Sequence, residues 1–379
     1  MKILHIAHAY YPHVGGVETS ARQIAEGSAA RGHEVTMLCF DDKNEKEVVN
    51  GVNVIRVKPL FRVGSASISW RYFREYMRLS KDADIIHFHV PNPMGELPFC
   101  LLKRGKARTL CTYHLDPVRP KAFVFLYTRL LNLFMKKVDV ICPTSPYYIV
   151  SSKIIENYLE KCRTIPLGVD VKSFQNVSAE KIAEAEKVVS TLKRPRILFC
   201  GRFAYFKGIP TLLDAMTFLP EYSLVMVGDG KKRPETEEQI DRLGLRDRVI
   251  LAGMQTGEFY RAFFHVADIF AFPSTWPESF GIVGIEALAA GLPIVTTEIW
   301  AGSSYYNEDG KTGIIVPPQD PHALAEAIRT ILSNPEMHKT MSENARIRAD
   351  KFAIERMPER YEEVYSFLMR KNEHKDSNQ

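Results

Sequence analysis

Arg196-Ile-Leu-Phe-Cys-Gly-Arg-Phe-Ala-Tyr-Phe-Lys-Gly208 begins as a short apolar strand and turns at Gly201-Arg202. It reaches Lys207-Gly208 just ahead of a helix that opens near Ile209-Pro210. Strand, glycine turn and helix make up the repeating step of a parallel α/β sheet. The step recurs downstream, with strand candidates at 222–227, 249–252, 269–272, 293–296 and 313–316. Upstream, 2–7, 34–40, 52–57, 85–89, 109–113 and 138–143 read the same way, with helices at 19–31 and 122–137 among them. A polar, helix-prone stretch, 170–194, follows Pro166-Leu-Gly-Val-Asp170 and separates the two series. The expected fold class is therefore α/β, with two Rossmann-like doubly wound parallel-sheet domains, 1–168 and 169–354.

Size and composition agree. A chain of 379 residues is long for a single core, and 45% hydrophobic with 25% charged residues is ordinary for a globular protein. No run supplies the roughly 20 apolar residues of a membrane span. The N-terminus, Met1-Lys-Ile-Leu-His-Ile-Ala7, enters a strand directly, without the pattern of a secretory signal. Six cysteines (39, 100, 111, 142, 162, 200) include no Cys-x-x-Cys pair and lie mostly in apolar stretches, so they read as reduced core residues. A cytoplasmic location is expected.

The residues around the turns suggest chemistry. Arg202 and Lys207, between a strand and a helix, form a fork of donors and a point charge suited to a diphosphate, although two surface cations beside a turn would look the same. Further on, Glu278-Ser-Phe-Gly-Ile-Val-Gly-Ile-Glu286 sets two carboxylates eight positions apart across a loop-to-helix junction. Ser279 reads as the N-cap of a helix over 282–290. The backbone N–H groups near Phe280, Gly281 and Ile282 lie at a positive helix end that suits an anion, and carboxylates on either side suit sugar hydroxyls. Two solvated glutamates on a capped surface helix are the alternative for this segment alone.

Together the Gly-Arg…Lys-Gly and Glu-x7-Glu elements, in this order and separation, resemble the donor site of the retaining glycosyltransferases of family 4, and the resemblance spans nearly the whole chain. It implies the two-domain GT-B fold, with the domains facing a central cleft and a last helix over 355–370 returning to the first domain; a frayed tail, 371–379, is expected after it. Arg202 and Lys207 would hold the donor diphosphate, Glu286 would accept from the ribose hydroxyls, and Glu278 with the Phe280 and Gly281 amides would orient the sugar. Gly228, Gly253 and Met254, at strand ends, would line the base pocket, although turn glycines explain two of them equally well. The acceptor hydroxyl would attack from the face the nucleotide leaves. One departure is Leu167, where many relatives carry Asn; little chemical effect is expected.

The first half adds a second set. Tyr10-Tyr-Pro-His-Val-Gly15-Gly16-Val-Glu follows strand one, so its backbone can approach a phosphate. The spacing is not Gly-x-Gly-x-x-Gly, which argues against an oxidoreductase even with Asp41 and Asp42 after the second strand. The resemblance assigns Gly15 and Gly16 to the donor diphosphate and His114 to the neighbourhood of the transferred sugar. Asp116, Arg119 and Lys121 resemble a continuation found in members acting on lipid-linked oligosaccharides. His87 and His89 alternate on a strand and pair on one face, but with no third ligand in view they do not read as a metal site. Asp82-Ala-Asp84 precedes a strand rather than ending one and reads as structural. No metal and no cofactor are therefore expected: cations and helix N–H groups would stabilise the leaving diphosphate.

Charge is uneven. Residues 1–168 hold 24 Lys and Arg against 15 Asp and Glu, a net of +9, and the remainder 26 against 30, a net of −4. Arg71, Arg74 and Arg78 recur at helical spacing beside Trp70, Phe73 and Met77, a pattern suited to an anionic membrane surface or to a helix with a solvated basic edge. No nucleic-acid-binding module is present. The expected activity is transfer of a hexose, mannose from GDP-mannose in first place, to a lipid-linked or surface-polysaccharide glycan at the membrane. A UDP-sugar donor, an epimerase, a phosphorylase or a non-catalytic sugar-nucleotide-binding protein on the same scaffold are the alternatives.

Overall fold

The computed structural model describes the chain apart from residues 14, 64–65, 103–104, 118–120, 277–279, 300–301 and 377–379, and apart from the side chains of 63, 66, 121–123 and 371–376. It divides into two compact units, residues 1–168 with 354–379, and residues 169–353.

The first unit is built on β1 (Lys2–Ile6), β2 (Glu34–Phe40), β3 (Glu45–Val49), β4 (Val52–Val57), β5 (Phe61–Val63), β6 (Ala66–Ile68), β7 (Ile85–Val90), β8 (Arg108–Tyr113) and β9 (Val140–Pro143). Seven of them form one sheet in the order β3-β4-β2-β1-β7-β8-β9, and β5 and β6 pair as a separate hairpin. Strands β7 and β8 are buried at every residue, as expected of central parallel strands covered on both faces.

Within the seven-stranded sheet β3 runs antiparallel, at the edge beside β4, and the other described strands are parallel. Strand β3 is absent from the sequence-based expectation because Glu45-Lys-Glu-Val-Val49 is mostly charged. The signal for it is the next dipeptide: Asn50 (φ 49°) and Gly51 (φ 83°) make a two-residue turn of the kind that closes hairpins.

The second unit holds β10 (Arg196–Cys200), β11 (Ser223–Val227), β12 (Val249–Gly253), β13 (Ile269–Phe272), β14 (Ile294–Thr297) and β15 (Gly313–Val316), all parallel, in the order β12-β11-β10-β13-β14-β15. The chain winds one way from β10 to β12 and the other way from β13 to β15. The switch point, where ligands bind in such sheets, therefore lies at the carboxyl ends of β10 and β13. In the first sheet it lies at β1 and β7.

Between the two strand series, the helices Val171–Gln175 and Ala179–Val188 start at Asp170 and Ser178, whose side chains accept from the Ser173 and Lys181 amides. Both belong to the second unit. The last helix, Arg356–Asp376, belongs to the first. It lies so close to the helix Gly16–Ala30 that a Cβ on Gly27 would stand 2.3 Å from Pro358 Cγ. His33 meets Glu362 at 2.6 Å there. The helix is regular to residue 376, further than the expected start of a frayed tail at 371. All six cysteines are free, five of them buried. Among the described residues no helix is long and apolar enough to cross a membrane.

Candidate active site

In the second unit, three strand-end loops meet backbone to backbone. Gly201 donates to the Val227 carbonyl, Phe203 to Asp229 and Gly228 to Gly253. A Cβ on Gly228, whose φ is 131°, would lie 2.0 Å from the Gly201 oxygen. Glycine is thus required at 228 by both conformation and contact. Gly208, at φ 65°, caps the helix Ile209–Thr217 and would drive a Cβ to 1.7 Å from the Pro273 oxygen. The loops after β10 and β13 are therefore locked together, with Thr275 N donating to Phe206 O at 2.8 Å.

Lys207 is buried along this floor, its chain beside Gly201 and its Nζ 4.8 Å from the Phe272 ring centre. Arg202 lines an adjoining cavity of about 210 Å³ together with Gly228, Asp229, Met254, Gln255 and Tyr260. Met254 is largely exposed at its mouth.

The helix Ile282–Ala290 starts at Gly281 (φ 72°). The left-handed glycine makes the turn without a side-chain cap, which corrects the expectation that Ser279 is the N-cap; Ser279 itself lies outside the described residues. Phe280 is buried against Tyr306 and Phe352, so only its backbone is available to a ligand. The Tyr306 hydroxyl donates to the Gly281 carbonyl at 2.9 Å, which pins the turn. Glu286 Oε2 accepts from the Tyr260 hydroxyl at 2.6 Å. Burial pushes its carboxyl up to about 7, and the tyrosine pulls the other way.

In the first unit, Gly15 precedes the helix Gly16–Ala30 with an ordinary extended backbone (φ −172°). A Cβ on Gly16 would meet nothing within 4 Å, and one on Gly15 only the end of the Glu18 side chain. Among the described residues of the unit, no contact requires glycine at either position.

His114 follows β8 and is buried, with its Nε2 3.4 Å from His89 Nδ1. Burial holds its imidazole down to about 3, so it is neutral at physiological pH. Asp116 Oδ1 accepts from the Tyr113 and Ser152 hydroxyls, both at 2.7 Å, and its amide donates to Tyr148. It braces the loop after β8. A second cavity, of about 320 Å³, opens at the ends of β1 and β2 and is lined by His8, His13, Phe40, Asp41, Asp42 and Arg62. Arg56, itself buried, holds Asp41 at 2.8 Å and Glu47 at 2.5 Å.

Residues 180–348 match the family model described as glycosyl transferases group 1, and residues 14–173 match glycosyltransferase family 4. The O-antigen chain mannosyltransferase C of Escherichia coli is 32% identical over 376 residues, covering 97% of this chain and 99% of that protein. The chain belongs to the family 4 glycosyltransferases.

The D-rhamnosyltransferase WbpZ of Pseudomonas aeruginosa is 31% identical, covering 92% of this chain and 91% of its own. The sucrose-phosphate synthase of Thermosynechococcus elongatus superposes with a TM-score of 0.78 at 24% identity, covering 97% and 99% of the two chains, and shares the GT-B fold. The protein is thus a hexosyltransferase, which sets aside the epimerase, phosphorylase and non-catalytic readings.

Of the residues expected to bind the donor, Arg202, Lys207, Gly228, Gly253 and Met254 lie at the carboxyl ends of β10, β11 and β12, and Gly281, Ile282 and Glu286 lie at the start and in the body of the helix after β13. Glu278, Arg119 and the side chain of Lys121 lie outside the described residues.

Two features escaped sequence reasoning. One is Tyr260, for which spacing carries no signal because it reaches Glu286 from a different helix. The other is the His8–Asp41 cavity, whose signal was polar residues placed directly after β1 and β2. A further expectation is corrected. His87 and His89 do stack on one face, with ring centres 4.7 Å apart, but a third imidazole is present: His5 of β1 stands 4.7 Å from His87. Asp84 is structural, accepting from the Lys2 amide at 2.7 Å.

Proposed function

We propose that the protein is a retaining, metal-independent hexosyltransferase that takes mannose from GDP-mannose and adds it to a lipid-linked or surface-polysaccharide glycan. The observation that carries the reading is the glycine-built floor of the second unit, where Lys207 runs beside Gly201 to the Phe272 ring, against which the Gly281 turn also packs. Arg202 and Lys207 hold the diphosphate with the helix N–H groups, and Glu286 accepts from the ribose hydroxyls. Glu278 and the Phe280 and Gly281 amides orient the sugar. The floor supplies positive charge where negative charge develops on the leaving diphosphate, which is the role a metal would otherwise fill.

Gly15 and Gly16 leave the loop backbone open to a phosphate, and His114 meets a hydroxyl of the transferred sugar. In the step itself, the bond from C1 to the phosphate oxygen breaks while the acceptor oxygen bonds to C1 on the same face. The acceptor proton passes to the departing phosphate oxygen, so no protein nucleophile is needed.

The choice of mannose is supported by the Escherichia coli relative, an O-antigen chain mannosyltransferase. For the acceptor, the cavity lined by His8, His13, Asp41, Asp42 and Arg62 offers the mix of donors and acceptors that sugar hydroxyls need, with Phe40 as an apolar wall. Asp116, Arg119 and Lys121 are assigned to the same acceptor. A peripheral position at the inner membrane face is supported by the helix Trp70–Leu79. It buries Tyr72 and Tyr76 and leaves Arg71, Arg74, Arg78 and a 78%-exposed Trp70 facing solvent.

The test is turnover of GDP-mannose and UDP-glucose on a polyprenyl-diphosphate-linked saccharide in EDTA, with the anomeric configuration of the product read by NMR. An α-mannosyl product formed without metal supports the proposal. A β-linked product, or turnover that needs Mg²⁺, overturns the mechanism, and exclusive use of UDP-glucose overturns the donor.

A further inference from the structure

The proposed chemistry employs His114 and leaves three other buried imidazoles without a role. Period-two alternation explains how they meet. Leu4 and Ile6 of β1, Phe88 of β7 and Cys111 of β8 face one core, which puts His5, His87, His89, Thr112 and His114 on the opposite face. All four rings are at most 2% exposed.

The ring nitrogens connect in two separate ways. His87 is closed at both ends, by the Tyr365 hydroxyl at 2.8 Å and Thr112 Oγ1 at 2.7 Å, and Thr112 in turn meets the Tyr361 hydroxyl at 2.6 Å. Single nitrogens of His5, His87 and His89 lie within 4.8 Å of one another, but both nitrogens of His87 are already engaged by hydroxyls. The other three rings form a line: His5 Nδ1 to His89 Nε2 at 3.1 Å, then His89 Nδ1 to His114 Nε2 at 3.4 Å.

Burial holds His5 and His114 down to about 3 and His89 well below its ordinary value, so each ring in the line carries one proton. A line of neutral imidazoles joined Nδ1 to Nε2 has two consistent states. Either every ring is protonated on Nδ1, or every ring is protonated on Nε2. His5 Nε2, at the closed end, is buried and has no partner among the described residues. The second state would leave an orphaned buried N–H there, and the first only an unused lone pair. Orphaned buried N–H groups are the rarer of the two.

We propose that the imidazole line fixes His114 as its Nδ1–H tautomer, which makes His5 and His89 positioning residues for a hydrogen-bond donor presented to the transferred sugar. The second half of this statement rests on the assignment of His114 to the sugar. The tautomer itself does not.

The first test therefore needs no substrate. Long-range ¹H–¹⁵N correlation spectra of the ¹⁵N-histidine-labelled full chain at neutral pH report which nitrogen of each ring carries the proton. Nδ1–H is expected for His5, His89 and His114. A free imidazole in water favours Nε2–H, so finding Nε2–H, or averaged signals, for His114 would overturn the proposal.

The second test is kinetic. His5→Leu removes the donor to His89 and is expected to lower kcat/KM for the donor sugar roughly tenfold, about one hydrogen bond, while His5→Asn, whose amide can replace Nδ1–H, restores it. Equal losses in both variants would overturn the positioning role. Nδ1–H signals in an enzyme that His114→Ala leaves fully active would instead refute only the assignment of His114 to the sugar.

Discussion

The two units reach their switch points by different means. In the second, the loops after β10, β11 and β13 touch through backbone, so Gly208 and Gly228 are demanded by their contacts within the unit. In the first, Gly15 and Gly16 meet no such demand, and the polar groups come from side chains: an imidazole line on one face, and His8, His13, Asp41 and Arg62 around a cavity. A backbone-built cradle suits the invariant part of a nucleotide sugar, its diphosphate. A side-chain-built one suits the part that differs between relatives, the acceptor.

The largest expected effect sharpens this contrast. Arg202→Ala or Lys207→Ala should each lower kcat/KM by about 10²–10³, as expected for loss of a charge aimed at the developing anion. Loss of Asp41, by Asp41→Asn, should raise the KM for acceptor and leave the KM for donor unchanged. Steady-state kinetics with each substrate varied in turn checks both, and equal effects on both substrates from Asp41→Asn would break the division of labour.

Next come the glycines. Gly228→Ala combines a φ of 131° with a 2.0 Å collision against backbone, and should cost roughly 3–5 kcal/mol, a fall in Tm of the order of 10 °C. Gly16→Ala should leave Tm within about 1 °C, since alanine is at least as good in a helix, and yet reduce activity. Calorimetry with a parallel assay separates the two. An unstable Gly16→Ala protein would show that the glycine serves the fold after all.

Two carboxyls raised by desolvation, one in each unit, give a pH test. Glu286 is pushed up to about 7 by burial, and so is Glu96, whose Oε1 accepts from the Asn92 amide and the Tyr127 hydroxyl. Between their unfolded values near 4.5 and about 7, the folded protein keeps protons that the unfolded chain loses. Stability should therefore fall as pH rises through this window. Glu96→Gln and Glu286→Gln should each be more stable than the wild type at pH 8, by of order 1–3 kcal/mol, and no more stable at pH 4. Unfolding curves at the two pH values decide this.

The smallest effect concerns the basic helix. Each of Arg71→Gln, Arg74→Gln and Arg78→Gln should weaken binding to vesicles containing anionic lipid by about 1 kcal/mol, and the loss should shrink with added salt. Sedimentation at two ionic strengths checks it.

Strand and helix positions were legible because both sheets are runs of consecutive buried residues punctuated by glycine, and β2, β4, β10, β13 and β15 match their expected bounds. The antiparallel β3 was hidden by charge, although Asn50-Gly51 marked it. The Gly201-Arg202…Lys207-Gly208 turn and the Gly281 turn were legible because each is a contiguous loop, where spacing along the chain is spacing in the fold. Contacts between distant elements were not: Tyr260 on Glu286, His5 beside His87, and Tyr365 on His87 join residues whose separation in sequence carries no period. The N-cap of the helix Ile282–Ala290 was misread because a left-handed glycine leaves no side-chain signature of capping.

The central claim is that the second unit holds a nucleotide diphosphate by Arg202 and Lys207 without a metal. A thermal-shift panel of GDP, UDP, ADP, GDP-mannose, UDP-glucose and UDP-N-acetylglucosamine, in EDTA and in Mg²⁺, tests it most directly, because a ligand that binds the folded state raises its melting temperature by mass action. The account predicts a selective shift with GDP and GDP-mannose that EDTA leaves intact and Arg202→Ala abolishes. A shift that appears only with Mg²⁺, or one that survives Arg202→Ala and Lys207→Ala unchanged, would contradict it.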